Sequence, residues 1–208
     1  MDLAYQYRDA ERLYLNVTNR CTNRCSFCVR SHTARLGDGM LLGNDEPNLD
    51  ELLFAVESKG GAGRYREIVW CGYGEPTIRL DLILDASPVF HTAGAKVRLN
   101  TNGHACLIHG RDVLPDLGKV IDRVNVSLNA PSAERYIELC RPDPSKIPTD
   151  PSPTHEAFWN ATLDFLARAP AHIDEVQASV VGHTLDDDET ELCADLAAEI
   201  AGVSCRIR

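Results

Sequence analysis

Three cysteines stand within one eight-residue segment, Cys21-Thr22-Asn23-Arg24-Cys25-Ser26-Phe27-Cys28. The C-x3-C-x2-C spacing places three thiolates on one short loop, enough to ligate three of the four irons of a cuboidal [4Fe–4S] cluster. The fourth iron then stays open to an outside ligand. Structural clusters of this kind use four cysteines, so three ligands and an open iron point to chemistry. His32 extends the pattern to C-x3-C-x2-C-x3-H, and a Cys3His zinc site accommodates the same residues. The cysteines alone leave both readings standing.

A second motif, Gly72-Tyr73-Gly74-Glu75-Pro76-Thr77, follows a short apolar run. Glycines at the end of a strand let the backbone approach a ligand closely. Pro76 fixes its own φ and pushes Glu75 toward an extended conformation. Further on, polar side chains recur at strand ends: Asn100 and Asn102 just before Gly103, Ser127 and Asn129, and Ser179. Amides and hydroxyls both donate and accept hydrogen bonds, which suits a ribose and a carboxylate.

The elements that must position these residues are legible as periodicities. Leu13, Leu15 and Val17 alternate with polar neighbours, as do Val97, Leu99 and Thr101. The same holds for Val124, Val126 and Leu128, for Val176, Ala178 and Val180, and for Val203, Cys205 and Ile207. Each run reads as a strand, and residues 67–71 form another. Helical spacing links Leu49, Leu52, Leu53 and Val56, with Asn48 and Glu51 as a capping box. It also links Phe158, Thr162, Phe165 and Leu166, and again Leu192, Leu196 and Ile200. Asp186, Asp187 and Asp188 occupy the start of that last helix, where its dipole favours negative charge, and Gly202 follows its end.

Strand and helix alternate about six times, which predicts a parallel α/β sheet. One face of strand after strand is polar, although parallel strands are normally apolar on both faces. A sheet with helices on one side only explains this. It predicts a partial (βα)6 TIM-like barrel with a polar lumen, the cysteine loop lying at the C-terminal end of the first strand. An antiparallel sheet with one wet face is the competing architecture. The five prolines of residues 141–154 predict a loop, either a plain surface loop or a lid.

The 208 residues suit one domain spanning 1–208. No apolar run is long enough for a membrane span, and the polar start, Met1 to Glu11, has no secretory h-region. The expected location is the cytoplasm. There, eight cysteines read as thiols and metal ligands, the five outside the cluster as small core residues. A net charge of −10 argues against nucleic acid or an anionic membrane as the main partner, while leaving room for a local basic patch.

Cys21 to Cys28 resembles the signature of the radical S-adenosylmethionine (SAM) superfamily, C-x3-C-x-Φ-C, with Phe27 as the aromatic residue. Gly72 to Pro76 resembles that superfamily's G-G-E-P segment, interrupted by Tyr73. The resemblance implies that Cys21, Cys25 and Cys28 hold a [4Fe–4S] cluster and that SAM binds its open iron. It also implies that Gly72, Gly74, Glu75 and Pro76 hold the amino group of SAM's methionine moiety and that Phe27 packs on the adenine. Asn100, Asn102, Ser127, Asn129 and Ser179 would supply the remaining contacts, and Arg141 would pair the SAM carboxylate. Many family members carry an acidic residue where Asn129 stands.

The segments 15–30, 70–77 and 124–142 look most similar to the TatD-associated radical SAM group. The implied partners are SAM, a substrate the sequence does not identify, an electron donor such as flavodoxin or ferredoxin, and a TatD-like nuclease. The implied reaction is reductive cleavage of SAM to a 5′-deoxyadenosyl radical that abstracts hydrogen. The rival readings are a zinc-stabilised binding module and a single-cluster electron-transfer protein that does not bind SAM. Neither uses the Gly74-Glu75-Pro76 segment.

Overall fold

The computed structural model describes residues 1–7, 9–200 and 203–208. In chain order the strands and helices are β1 (Ala4–Tyr5), β2 (Arg12–Leu15), β3 (Arg35–Leu36), β4 (Gly39–Met40), α1 (Leu49–Ser58), β5 (Glu67–Trp70), α2 (Leu80–Thr92) and β6 (Lys96–Thr101). They continue with α3 (Ala105–His109), α4 (Leu114–Leu117), β7 (Arg123–Ser127), α5 (Ala133–Cys140), α6 (His155–Arg168), β8 (Glu175–Val180), α7 (Asp187–Glu199) and β9 (Ser204–Ile207).

Seven strands form one sheet in the order β1-β2-β5-β6-β7-β8-β9. From β2 to β9 every neighbouring pair is parallel, which settles the architecture against an antiparallel sheet. Only β1 runs antiparallel, and it caps one edge beside β2. Strand order follows chain order, as expected when each crossover returns to the next position of a partial barrel. A separate hairpin joins β3 and β4.

The period of two sorts each strand into two faces. Leu13, Leu15, Ile68, Trp70, Val97, Leu99, Val124, Val126, Ala178 and Val180 are all fully buried on one face, in the main core with Leu52 of α1, Phe90 of α2 and Phe158 of α6. The other face carries charge. Glu67 is nearly buried and pairs with Arg12 at 2.9 Å and Arg98 at 3.3 Å, and Arg123 joins Glu67 to Glu175. This network closes the N-terminal end of the polar face.

Helix ends follow the sequence signals. Asn48 and Glu51 exchange backbone hydrogen bonds of 2.9 Å each, the predicted capping box. Asp186 caps α7, with Asp187 and Asp188 in its first turn. The Gly202 stop signal lies outside the described residues. The apolar stripe of α7 differs from expectation: Leu192 is 55% exposed, whereas Cys193 and Ala197 are fully buried. Against β8 and β9 the small side chains fit closely and Leu192 turns outward. Helices α2 and α5, which no single stripe announced, complete the crossovers.

Candidate active site

The cysteine loop leaves the C-terminal end of β2 and crosses the polar end of the sheet. Cys21, Cys25 and Cys28 all line one cavity of about 270 Å³ there, together with Phe27. Gly72, Gly74 and Glu75 form another wall, and Asn100, Asn102, Ser127 and Asn129 come from the ends of β6 and β7. Three expected contacts lie outside its lining. Pro76 is buried at the head of a 3-10 turn. Ser179 is fully buried in the sheet and bonds Asn125 Nδ2 at 3.3 Å. Arg141 is exposed, with its Nε 3.4 Å from the Glu138 carbonyl. Ser179 is packed against β7 and Arg141 sits at the left-handed C-cap of α5, which residue type and spacing could not reveal.

The glycines are needed by the chain itself. A Cβ on Gly74 would lie 2.3 Å from the Arg20 carbonyl oxygen and 2.5 Å from that of Thr18. One on Gly72 would lie 2.0 Å from Asn16 Oδ1. The loop carrying the cysteines therefore packs directly onto this backbone. Tyr73, the residue interrupting the motif, is buried in a small aromatic cluster with Tyr5 and Tyr14, and its hydroxyl donates to the Thr33 carbonyl at 2.8 Å.

Glu75 acts inside the wall. Its carboxylate accepts from the Thr77 backbone and hydroxyl, from Thr101 Oγ1 at 2.7 Å and from the Asn102 backbone at 2.8 Å. Burial pushes its pKa up against these bonds. Asn102 is similarly committed: Nδ2 donates to Thr22 Oγ1 at 2.9 Å and lies 3.9 Å from Cys21 Sγ, and Oδ1 accepts from the His104 backbone. Glu75 and Asn102 thus tie the β5 and β6 ends to the cysteine loop.

A second brace, which the sequence did not announce, holds the loop from behind. His104 is fully buried, with Nδ1 2.8 Å from Thr22 Oγ1 and Nε2 2.9 Å from the Tyr136 hydroxyl. The same hydroxyl accepts from Asn23 Nδ2 at 2.9 Å. Burial holds the His104 pKa down at about 3, so the ring is neutral at ordinary pH. The backbone is braced too: Arg24 N–H donates to the Cys140 carbonyl at 3.0 Å and Ser26 N–H to that of Leu139 at 2.9 Å. The Asp143 N–H donates to the Thr22 carbonyl at 2.8 Å, and Asn23 bridges Pro142. The start of the proline-rich segment is therefore a buttress for the cysteine loop.

Two observations test whether the residues fit a cluster and an organic ligand. First, Asn100 Oδ1 and Asn129 Oδ1 are buried without a hydrogen-bond partner. Buried acceptors without partners cost free energy, and a ligand carrying ammonium, hydroxyl or amino donors would satisfy these two. Asn129 holds a left-handed conformation at φ 62°, which asparagine tolerates. Second, Cys21, Cys25 and Cys28 border one cavity together, as three ligands of a cuboidal cluster must. His32 is exposed and does not line the cavity. Burial raises the Cys21 pKa to about 12, with the Glu75 charge adding to it, so metal binding at Cys21 must displace a proton.

Other cavity residues escaped sequence reasoning. Cys71 and Thr101 alternate with strand residues and carried no separate signal, and Arg208 follows the last strand, its Nη2 3.2 Å from Ser127 Oγ.

The family pattern described as the Radical SAM superfamily matches residues 15–197. The GTP 3′,8-cyclase of Corynebacterium glutamicum (strain R) is 34% identical over 143 residues, covering 65% of this chain and 35% of that protein. The GTP 3′,8-cyclase of Rhodobacter capsulatus is 32% identical over 138 residues, covering 64% and 37%. The chain thus spans little more than a third of the length of the curated relatives it matches. Among solved structures, Streptococcus suis SuiB bound to precursor peptide SuiA superposes with a TM-score of 0.62 at 14% identity, covering 91% of this chain and 37% of that one. SuiB bound to S-adenosylmethionine gives a TM-score of 0.59 at 15% identity, covering 93% and 37%. At these identities the likeness is one of fold.

Proposed function

Because the chain belongs to the Radical SAM superfamily, matched over residues 15–197, we propose that it is a radical SAM enzyme with Cys21, Cys25 and Cys28 as the cluster ligands. The observation that carries this reading is the convergence of those three thiols and the unpartnered Asn100 and Asn129 carbonyl oxygens on one cavity. Held by those thiols, a [4Fe–4S] cluster would supply one-electron reductive cleavage of SAM's sulfonium C–S bond and, through it, hydrogen abstraction from a substrate.

The protein's own part is positioning. Glu75 and Asn102 fix the cavity walls, and His104 and Tyr136 hold the loop that carries the thiols. Asn100 and Asn129 offer acceptors to the ligand's donors, and Phe27 offers an apolar face. Ser127 and Arg208 close the far side and suit an anionic or hydroxyl group of the ligand.

The TatD-associated subgroup is part of this proposal and rests on segments 15–30, 70–77 and 124–142, as does a TatD-like nuclease as partner. The reaction requires a one-electron donor such as flavodoxin or ferredoxin. Among the described residues no helix is long and apolar enough to cross a membrane, and the oxygen-sensitive cluster suits the cytoplasm. The residues 1–208 are proposed to act as one domain.

The test is anaerobic purification followed by iron and zinc analysis and EPR of the reduced protein with and without SAM. About four irons per chain and a reduced signal that shifts on adding SAM are expected. Cys25→Ala should lose the cluster and SAM cleavage. One zinc per chain and no reconstitutable cluster, or SAM cleavage undiminished in Cys25→Ala, would overturn the reading.

A further inference from the structure

One buried thiol has no part in the function proposed above. Cys140 is fully buried at the end of α5, and the cysteine loop is bonded to this helix end on both sides of Cys25. Arg24 N–H donates to the Cys140 carbonyl at 3.0 Å and Ser26 N–H to the Leu139 carbonyl at 2.9 Å. Cys25 is thereby held against Cys140. Their two side chains share a hydrogen bond, which together with burial pushes the Cys25 pKa up. A third group meets them: Asn129 Nδ2 donates to Cys140 Sγ at 3.8 Å. An amide N–H can only donate, so the Cys140 sulfur accepts from Asn129 and keeps its own S–H proton for Cys25. Cys25 and Asn129 border the site cavity, while Cys140 stands behind them, outside its lining. It is placed to touch a cluster ligand and not to become one.

We propose that Cys140 is a positioning residue for Cys25: its S–H donates to the Cys25 sulfur when that sulfur holds the cluster, and this bond raises the potential at which the cluster accepts its electron. The inference rests on the reading of Cys25 as a cluster ligand. Reduction adds negative charge that spreads onto the ligand sulfurs, so a donor aimed at one of them favours the reduced state. The bond lies in a buried, weakly polarisable place, where it counts for more than at a surface. Asn129 fixes the direction of the Cys140 proton and offers its own unpartnered Oδ1 to the cavity. The row Asn129, Cys140, Cys25 therefore links a ligand-facing amide to a cluster thiolate, as outer partners orient and tune the ligands of other metal sites.

The test compares wild type, Cys140→Ala and Cys140→Ser, each as the whole chain reconstituted without oxygen. Iron is counted, and the midpoint potential is read by EPR-monitored redox titration in the absence of SAM. All three should hold about four irons per chain. Cys140→Ala removes the donor and fills the space with a small apolar group, and its midpoint should shift to lower potential. Cys140→Ser keeps an O–H donor, and its midpoint should lie between those of Cys140→Ala and wild type. A Cys140→Ala potential equal to wild type overturns the proposal, as does a Cys140→Ser potential shifted as far as that of Cys140→Ala. Loss of iron in both variants overturns it too, by making Cys140 a support of the loop alone. A wild-type chain that takes up no cluster instead overturns the preceding assignment of function.

Discussion

Replacing Tyr136 by phenylalanine deletes one oxygen and leaves the ring. That oxygen is fully buried and serves both Asn23 Nδ2 and His104 Nε2, each at 2.9 Å. Its loss strands two buried polar groups, each costing about 1–3 kcal/mol. Asn23 is the more affected, because its Oδ1 already has no partner, and Asn23 lies between the first two cysteines. The expected penalty is about 2–4 kcal/mol, or a fall in Tm of roughly 5–15 °C for a chain of this size. Because the brace acts on the cysteine loop, iron retained after gel filtration should fall with it. Leu52→Ala, in the core under α1, costs a similar amount through a cavity. At matched destabilisation it should keep its iron. Tyr136→Phe with a Tm within about 2 °C of wild type, or with iron no lower than Leu52→Ala, would refute the bracing argument.

Stability should depend on pH through His104. Burial holds its pKa at about 3 in the folded chain against 6.5 when unfolded, so below about pH 6.5 the unfolded chain takes up a proton that the folded chain refuses. Stability is complete above that pH and falls as pH drops toward 3, with a slope approaching about 1.4 kcal/mol per unit. Urea midpoints of the cluster-free protein measured from about pH 7 to about pH 5 should show this slope, and His104→Asn should reduce it by that amount. An unchanged slope would mean that the ring is solvated. Gly74→Ala forces a methyl onto two backbone carbonyls of the cysteine loop. It should cost about 2–3 kcal/mol and displace the loop; normal Tm and iron binding would contradict the packing described.

The local patterns were legible from residue order alone. The cysteine spacing, the Gly74-Glu75-Pro76 segment, the six parallel strands, the capping box at Asn48 and the acidic helix start at Asp186 are all set within a few residues, by alternation, turn chemistry or i→i+3 bonding. Long-range pairing was not legible. Which buried amide is committed to the protein, as Asn102 is, and which keeps a free acceptor, as Asn100 and Asn129 do, depends on strands β5, β6 and β7 meeting at one end. Ser179 matched the lumen pattern and yet is sealed between strands, and Arg141 matched it and lies exposed. The outward turn of Leu192 came from the packing of α7 against β8 and β9, which the helical period cannot encode.

Amino-acid order by itself determined the chemistry on offer, since three thiols seven residues apart end to end must share a loop wherever that loop goes. Only the tertiary structure decided how that loop is held. Asn23 meets a hydroxyl 113 positions away and Thr22 an imidazole 82 positions away. It also decided that Arg20, Arg24, Arg30 and Lys146 border one cavity with Cys21. Buried polar groups take whatever partner packing brings within reach, and packing among distant segments leaves no periodic trace in the sequence.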